Sequence, residues 1–157
     1  MTISTNTPNG YLSLCYHYIR DNSAEQSFPR ILGTSVDEFE KHIEMFSNYF
    51  KLITPSDALS FSNGDYNFKE NEIGLLLTFD DGLSDHYTAA KILAKHGIKA
   101  IFFIPTCILK DKLPANPIIL HYCIAKFGLS SFLNFLKSSL EKNLNDFNKH
   151  MKKFSYI

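Results

Sequence analysis

Tryptophan is absent from the 157 residues, and glycine (7), proline (6) and cysteine (3) are all sparse. Low Gly and Pro exclude a collagen-like or low-complexity chain. The cysteines, Cys15, Cys107 and Cys123, are odd in number and none stands in a CxxC spacing. A disulfide framework is therefore not expected, and a reducing compartment suits them. Net charge is also missing, with 16 basic against 16 acidic side chains. Without a global field, nucleic acid is not expected as a partner. No apolar run approaches the roughly 18 residues that a bilayer span requires, so no transmembrane segment is expected. The opening MTISTNTPNG has no Lys, no Arg and no apolar stretch. It does not read as a secretory signal, and a cytoplasmic location is the expectation. GxGxxG, GxxxxGK[ST] and HExxH are all lacking, which removes the dinucleotide, P-loop and zincin signatures.

What is present is an aromatic core former. Fourteen Phe and eight Tyr contribute to a 45% hydrophobic chain, of a length that suits one domain with a core of its own. The zero net charge hides an asymmetry. Residues 1–106 carry 8 basic and 13 acidic groups, and residues 107–157 carry 8 and 3.

Along the chain, residues 1–10 read as a flexible arm, 11–110 as an α/β part and 116–154 as a helical segment, all within one domain. Tyr11–Ile19 has strand composition, with Tyr11, Ser13, Cys15 and His17 sharing one face by alternation. Ser35 and Glu38 form a capping box for a helix to about Tyr49, with Val36, Phe39, Ile43, Phe46 and Phe50 as its buried stripe. Leu52-Ile53 suggests a short strand. Thr54 then caps a helix with Pro55 at its first position, ended by Asn63-Gly64. Ile73–Phe79 (IGLLLTF) is a continuous apolar run, as in strands buried on both faces of a parallel sheet. A helix from Ser84 or Asp85 to His96 follows, closed by Gly97, and Lys99–Ile104 is a further strand stopped by Pro105. This βαβ pattern predicts that the last two strands lie parallel and adjacent. Beyond residue 116 the helices break near Gly128. Leu129, Phe132, Phe135, Leu136 and Leu140 form one stripe, which Leu144, Phe147, Met151 and Phe154 continue. Lysines surround it, compatible with a membrane-surface helix but more ordinarily with a solvated face.

The informative stretch is Thr78-Phe79-Asp80-Asp81-Gly82. Two adjacent carboxylates sit at the carboxyl end of an apolar strand, where parallel α/β folds bind ligands. A cation would offset their repulsion and leave one carboxylate free as a base. Gly82 permits the sharp turn that lets both face one cleft. The plainer reading is that one of them caps the next helix, although caps rarely come doubled at such a place.

These residues carry a resemblance. LLLTFDDG, a helix, and then GIKAIFFIPT resemble the polysaccharide deacetylase family (NodB-like, carbohydrate esterase family four). Upstream, CYHYIRDN followed by SVDEFEKHIEMF is similar to the N-terminal portion of one subgroup, so the likeness spans about residues 12–125. It implies a (β/α) barrel, here partial and truncated before its second half, followed by a helical C-terminal segment. It implies removal of an N-acetyl group from an acetylated amino sugar, with Asp80 as general base and Asp81 as ligand of a divalent metal, usually zinc. In the family two histidines of a His-Ser/Thr-x-x-His motif complete the metal site. The histidines here are His17, His42, His86, His96, His121 and His150, and no two are so arranged. The resemblance thus implies weak or absent zinc binding, leaves open whether the chain is an active enzyme, and keeps an inactive fragment as the alternative. An unfinished barrel also exposes a sheet edge, through which self-association is expected.

His17 is the candidate for substrate contact, if its strand neighbours Ile73–Phe79, with a hydrogen-bonded core histidine as the plainer reading. Cys15 and His17 share a face, as a nucleophile and base would, but no third group to orient them is evident. Cys15, His17, His121 and Cys123 have zinc-ligand chemistry without a recognised spacing. His86 and Tyr87 are expected in helix-surface packing, and His42 and His96 are expected to face solvent.

Overall fold

The computed structural model describes residues 10–21 and 30–144. The elements run β1 (Gly10–Tyr16), α1 (Val36–Tyr49), β2 (Lys51–Leu52), α2 (Pro55–Ser62), β3 (Ile73–Phe79), α3 (His86–Lys95), β4 (Ile101–Phe102), α4 (Thr106–Lys110), α5 (Asn116–Phe127) and α6 (Leu129–Lys142). β3 is the centre of a parallel sheet. β1 pairs along its whole length, from Gly10 opposite Ile73 to Tyr16 opposite Phe79. β2 pairs its amino end and β4 its carboxyl end. The adjacent parallel strands expected from the βαβ pattern are therefore present, with α3 between them in sequence.

Six of the seven β3 residues are buried, in keeping with its unbroken apolar sequence. The alternation of side chains divides the core between two faces. Leu75, Leu77 and Phe79 join Tyr16 on one face, under Phe39, Ile43 and Phe46 of α1 and Ala89, Ile92 and Leu93 of α3. Leu76 points the other way, into a smaller cluster with Ile53, Ala58 and Phe68. Phe79 is fully buried. Its ring stacks on Tyr16 at 5.6 Å and on Phe102 at 4.7 Å, and meets Phe39 edge-on at 5.9 Å. The strand is thus anchored at the residue before the two carboxylates. Gly74 makes a different contribution: a Cβ there would lie 2.5 Å from the Phe68 ring and 2.7 Å from Tyr11 Cβ, so only glycine lets these rings close over the strand.

Both helix starts form as their sequences predict. Ser35 Oγ accepts from the Glu38 N–H at 3.2 Å while the Glu38 carboxylate accepts from the Ser35 N–H at 2.9 Å. Thr54 and Asp57 make the same reciprocal pair. These bonds hold the Glu38 and Asp57 carboxyls below their usual pKa.

Several boundaries differ from the sequence reading. Gly10 belongs to β1 rather than to a leading arm. β1 ends at Tyr16, not Ile19, and Ile19 instead forms an isolated bridge with Thr34. β4 keeps two residues of the expected six. β1 and the carboxyl end of β4 shorten for one reason: β3 itself stops at Phe79. The last bonds it takes part in are Asp80 N–H to Tyr16 O (3.0 Å) and Phe103 N–H to Phe79 O (2.8 Å). After β4 the helices break at Gly128 as expected. Their stripe stays largely open, with Leu129, Phe135 and Leu136 exposed and no α6 residue buried. Leu144 is also exposed, and Phe147, Met151 and Phe154 lie outside the described residues, as do residues 1–9.

Candidate active site

Three chain segments meet at the carboxyl end of β3. β1 delivers Cys15 and, just past its end, His17, β3 delivers Thr78 and runs into Asp80-Asp81, and the chain leaving β4 delivers Phe103, Ile104 and Pro105. Cys15 lies opposite Thr78 in the ladder. Because parallel neighbours in register share a face, Cys15 falls on the side opposite the Phe79 core. One step further, Asp80 and His17 come to the same place. A Cys15 sulfur, a His17 ring nitrogen and an Asp80 carboxylate oxygen all lie within 4.8 Å of one another. His17 Nδ1 is 4.0 Å from Cys15 Sγ, and His17 Nε2 is 3.9 Å from Asp81 Oδ2. His17 thus stands beside both carboxylates, with half of its side chain (50%) exposed and that of Asp81 mostly covered (17%).

The corner itself is tight. Asp81 has φ +77° and Gly82 φ +59°, two successive residues in the left-handed region. An aspartate there is uncommon and costs about 1–2 kcal/mol. A Cβ on Gly82 would also stand 3.1 Å from Ile108 and 3.2 Å from Ile104. Neither carboxylate caps α3. The cap position falls on Asp85, whose side chain makes no capping bond. The helix-cap reading of the pair is therefore set aside.

Asp80, Asp81, Phe103, Ile104 and Pro105 line an open cleft of 520 Å³. The three apolar residues were not singled out in the sequence. The signal was there: strand-helix-strand pairing in parallel brings both carboxyl ends to one edge. The charge environment is acidic. Burial, with the Asp80 and Asp81 charges adding to it, pushes the Cys15 thiol pKa up, while the Thr78 hydroxyl opposes the shift. Burial and the Asp81 and Asp85 charges raise Tyr18, with Arg20 opposing. Burial likewise raises Asp85 against the pull of Arg20.

The remaining histidines divide. His86 is buried rather than packed on a helix surface, and its Nε2–H donates to the His17 carbonyl at 2.8 Å. His42 is not simply solvated, since its Nδ1 shares a 2.8 Å hydrogen bond with the Tyr16 hydroxyl. His96 is exposed as expected. His121 bonds the Tyr18 hydroxyl through Nδ1 at 2.9 Å. Among the described residues, the one group of three or more donors close enough to share a cation is Cys15, His17 and Asp80, without His121 or Cys123. The donor set that the resemblance implies, one carboxylate with two motif histidines, does not fit this chain. The motif is absent from the sequence, and the histidine beside Asp81 is His17, at 3.9 Å.

No protein-family model matches the chain. Over 104 residues it is 33% identical to YxkH of Bacillus subtilis (strain 168), provisionally named a polysaccharide deacetylase, a match that covers 65% of this chain and 34% of that protein. Among solved structures it is similar to IcaB from Ammonifex degensii (27% identity, TM-score 0.50, 62% of this chain and 39% of that one). It is also similar to the Streptococcus pyogenes deacetylase PplD, solved in complex with acetate (26%, TM-score 0.50, 63% and 44%). The fold is further shared with a de-N-acetylase from Aggregatibacter actinomycetemcomitans (24%, TM-score 0.52, 64% and 39%). The chain therefore resembles part of the polysaccharide deacetylases in sequence and in fold. It spans about a third of the curated relative's length and about two fifths of the solved structures. Among the described residues no single helix is long and apolar enough to cross a membrane, though α5 and α6, bent by 120°, meet the length and composition together.

Proposed function

We propose that this chain carries the carboxylate part of a hydrolase site that removes the N-acetyl group from an acetylated amino sugar. The observation that supports it is the Asp80-Asp81-Gly82 corner, strained at Asp81, opening on a cleft beside His17. Strain of this kind concentrates where function over-determines the backbone.

In this reading Asp80 is the general base. It takes a proton from water as the water oxygen bonds to the acetamide carbon. The carbon–nitrogen bond then breaks, acetate leaves, and the departing amine takes up the proton. Asp80 is well placed for this, since its own N–H is fixed to the Tyr16 carbonyl and its position follows from the sheet rather than from a loop. His17, half-exposed and 3.9 Å from Asp81, contacts the sugar. Phe103, Ile104 and Pro105 offer an apolar wall to the acetyl methyl and the sugar ring. Asp81 is the carboxylate offered to a divalent cation, zinc by resemblance, and this sequence does not contain the motif histidines that would complete that site. The described α/β part and helices are read as one domain, the beginning of a (β/α) barrel. Three free cysteines suit a reducing, cytoplasmic setting.

A second reading is a catalytically inactive fragment of such an enzyme. It is favoured by the missing His-Ser/Thr-x-x-His motif. Acetate release from a panel of N-acetylated amino-sugar oligomers, measured with zinc supplied and again with zinc chelated, separates the two. Release that falls at least about 100-fold in Asp80→Asn supports the hydrolase. Sugar binding without any acetate release supports the fragment. Release unaffected by Asp80→Asn contradicts both.

A further inference from the structure

We infer that Cys15, His17 and Asp80 form a zinc-binding site of this chain, with a donor set different from the one the resemblance implies.

The three groups supply a sulfur, a nitrogen and an oxygen, the ligand types zinc accepts together. They converge for a structural reason. The parallel register of β1 on β3 sets Cys15 opposite Thr78, and alternation then brings Asp80 and His17 onto the same face. In a tetrahedral zinc site with bonds of about 2.0–2.3 Å, neighbouring donors stand about 3.3–3.8 Å apart. The donors here lie within 4.8 Å, so the separations must close by about 1.5 Å at most. Side-chain rotation suffices. Cys15 and His17 are both exposed, which leaves them free to turn and leaves the site open to an ion from solution. The Asp80 backbone, by contrast, is fixed by its bond to Tyr16, a rigid arm against which the other two close.

The charge balance points the same way. Two carboxylates and a thiol crowd one strand end. The His17 ring stands beside them, its Nε2 3.9 Å from Asp81 Oδ2. A divalent cation neutralises this cluster, and binding releases the Cys15 thiol proton to solvent. Three protein ligands leave a fourth position for water, the arrangement of an open rather than a closed zinc site. The inference does not depend on the hydrolase reading, although it shares Asp80 with it. An Asp80 carboxylate bound to the cation is withdrawn as a free base. A zinc-loaded chain of this kind is therefore expected to hydrolyse poorly.

Cobalt(II) in place of zinc gives a direct readout, because a thiolate ligand produces a thiolate-to-cobalt charge-transfer absorption in the near ultraviolet. The full reduced chain is titrated, with Cys107→Ser/Cys123→Ser as a background that leaves one thiol. The band should appear in both and saturate at one cobalt per chain. Cys15→Ser should abolish it. His17→Ala and Asp80→Asn should each weaken binding by about 100-fold or more, above the 10–100-fold typical of groups that merely support a ligand. His121→Ala, at a ring bonded to Tyr18 and outside the cluster, should leave the affinity within about threefold. Amide NMR spectra establish that each variant is folded. No band in the folded reduced chain, or a band that survives Cys15→Ser in the one-thiol background, overturns the inference. So does a cobalt affinity that depends on Asp81 and not on Cys15, and that result leaves the hydrolase reading standing. Conversely, a Cys15-dependent band with no acetate release from any sugar, either with zinc or after its removal by a chelator, sustains the zinc site and removes the hydrolase.

Discussion

His86 donates its Nε2–H to the backbone carbonyl of His17, 2.8 Å away. The bond joins the first turn of α3 to the residue just past β1, across the carboxylate corner. The ring is buried against Phe79 (5.4 Å) and Phe102 (5.9 Å), so the donor has no alternative partner in water. His86 therefore positions the backbone that carries the His17 side chain beside Asp81. His86→Leu keeps the apolar contacts and deletes the bond. Stability should fall by about 1–3 kcal/mol, read from urea unfolding, and the His17 amide resonance should move. An unchanged His17 amide with unchanged stability would show that the bond does not hold this loop.

Tyr16 gives a pH dependence. Burial raises its pKa from the ordinary 10 to about 12. Between about pH 10 and 12 the unfolded chain has lost this proton and the folded chain still holds it. The stabilisation is therefore complete below pH 10 and is lost as pH rises through 12, on the order of 2 kcal/mol in all. Urea midpoints measured from pH 9 to 12 should fall more steeply in the native chain than in Tyr16→Phe. Parallel slopes would contradict the raised value.

How much of this was legible in the sequence depends on which contacts were local. The Ser35–Glu38 capping box spans three residues and formed as read, and the Thr54 cap formed too, with Asp57 completing a box that the sequence reading does not name. β3 was legible because a run of seven residues, apolar but for Thr78, has one economical place, the middle of a parallel sheet. The carboxylate corner followed from the strand's end. What could not be read was length and pairing set by a neighbour. Tyr18 and Ile19 have strand composition, yet β1 ends at Tyr16 because β3 has no residue beyond Phe79 to continue the ladder. His42 lies beside the α1 stripe and reads as solvated, but its partner Tyr16 is 26 residues away. The proximity of Cys15 to Asp80 likewise needs the β1–β3 register, which no short motif encodes.

The left-handed Asp81 makes a prediction of its own. Asparagine tolerates that conformation and β-branched residues do not. Asp81→Asn should keep its stability within about 0.5 kcal/mol of the native chain, while Asp81→Val should lose about 1–2 kcal/mol. Chemical denaturation of the two variants checks it. Equal stabilities would mean that the corner relaxes easily and stores no strain.

The outer edge of β1 is a second place to look. Among the described residues β1 pairs only with β3, and Leu12 on it is 55% exposed. An open apolar edge invites strand-to-strand association. Sedimentation velocity over a concentration series should show reversible self-association, reduced by Leu12→Lys. A monomer at all concentrations would place the edge under cover.

The most direct test of the deacetylase-like site is to ask where an acetylated sugar binds. The ¹⁵N-labelled chain is titrated with an N-acetylated amino-sugar oligomer and followed by amide NMR. The site described here predicts saturable shifts at His17, Asp80, Asp81, Gly82, Phe103 and Ile104, lost in Asp80→Ala/Asp81→Ala while the rest of the spectrum is kept. Shifts confined to the α5–α6 pair or to the opposite end of the sheet, or no shifts at millimolar sugar, would contradict it.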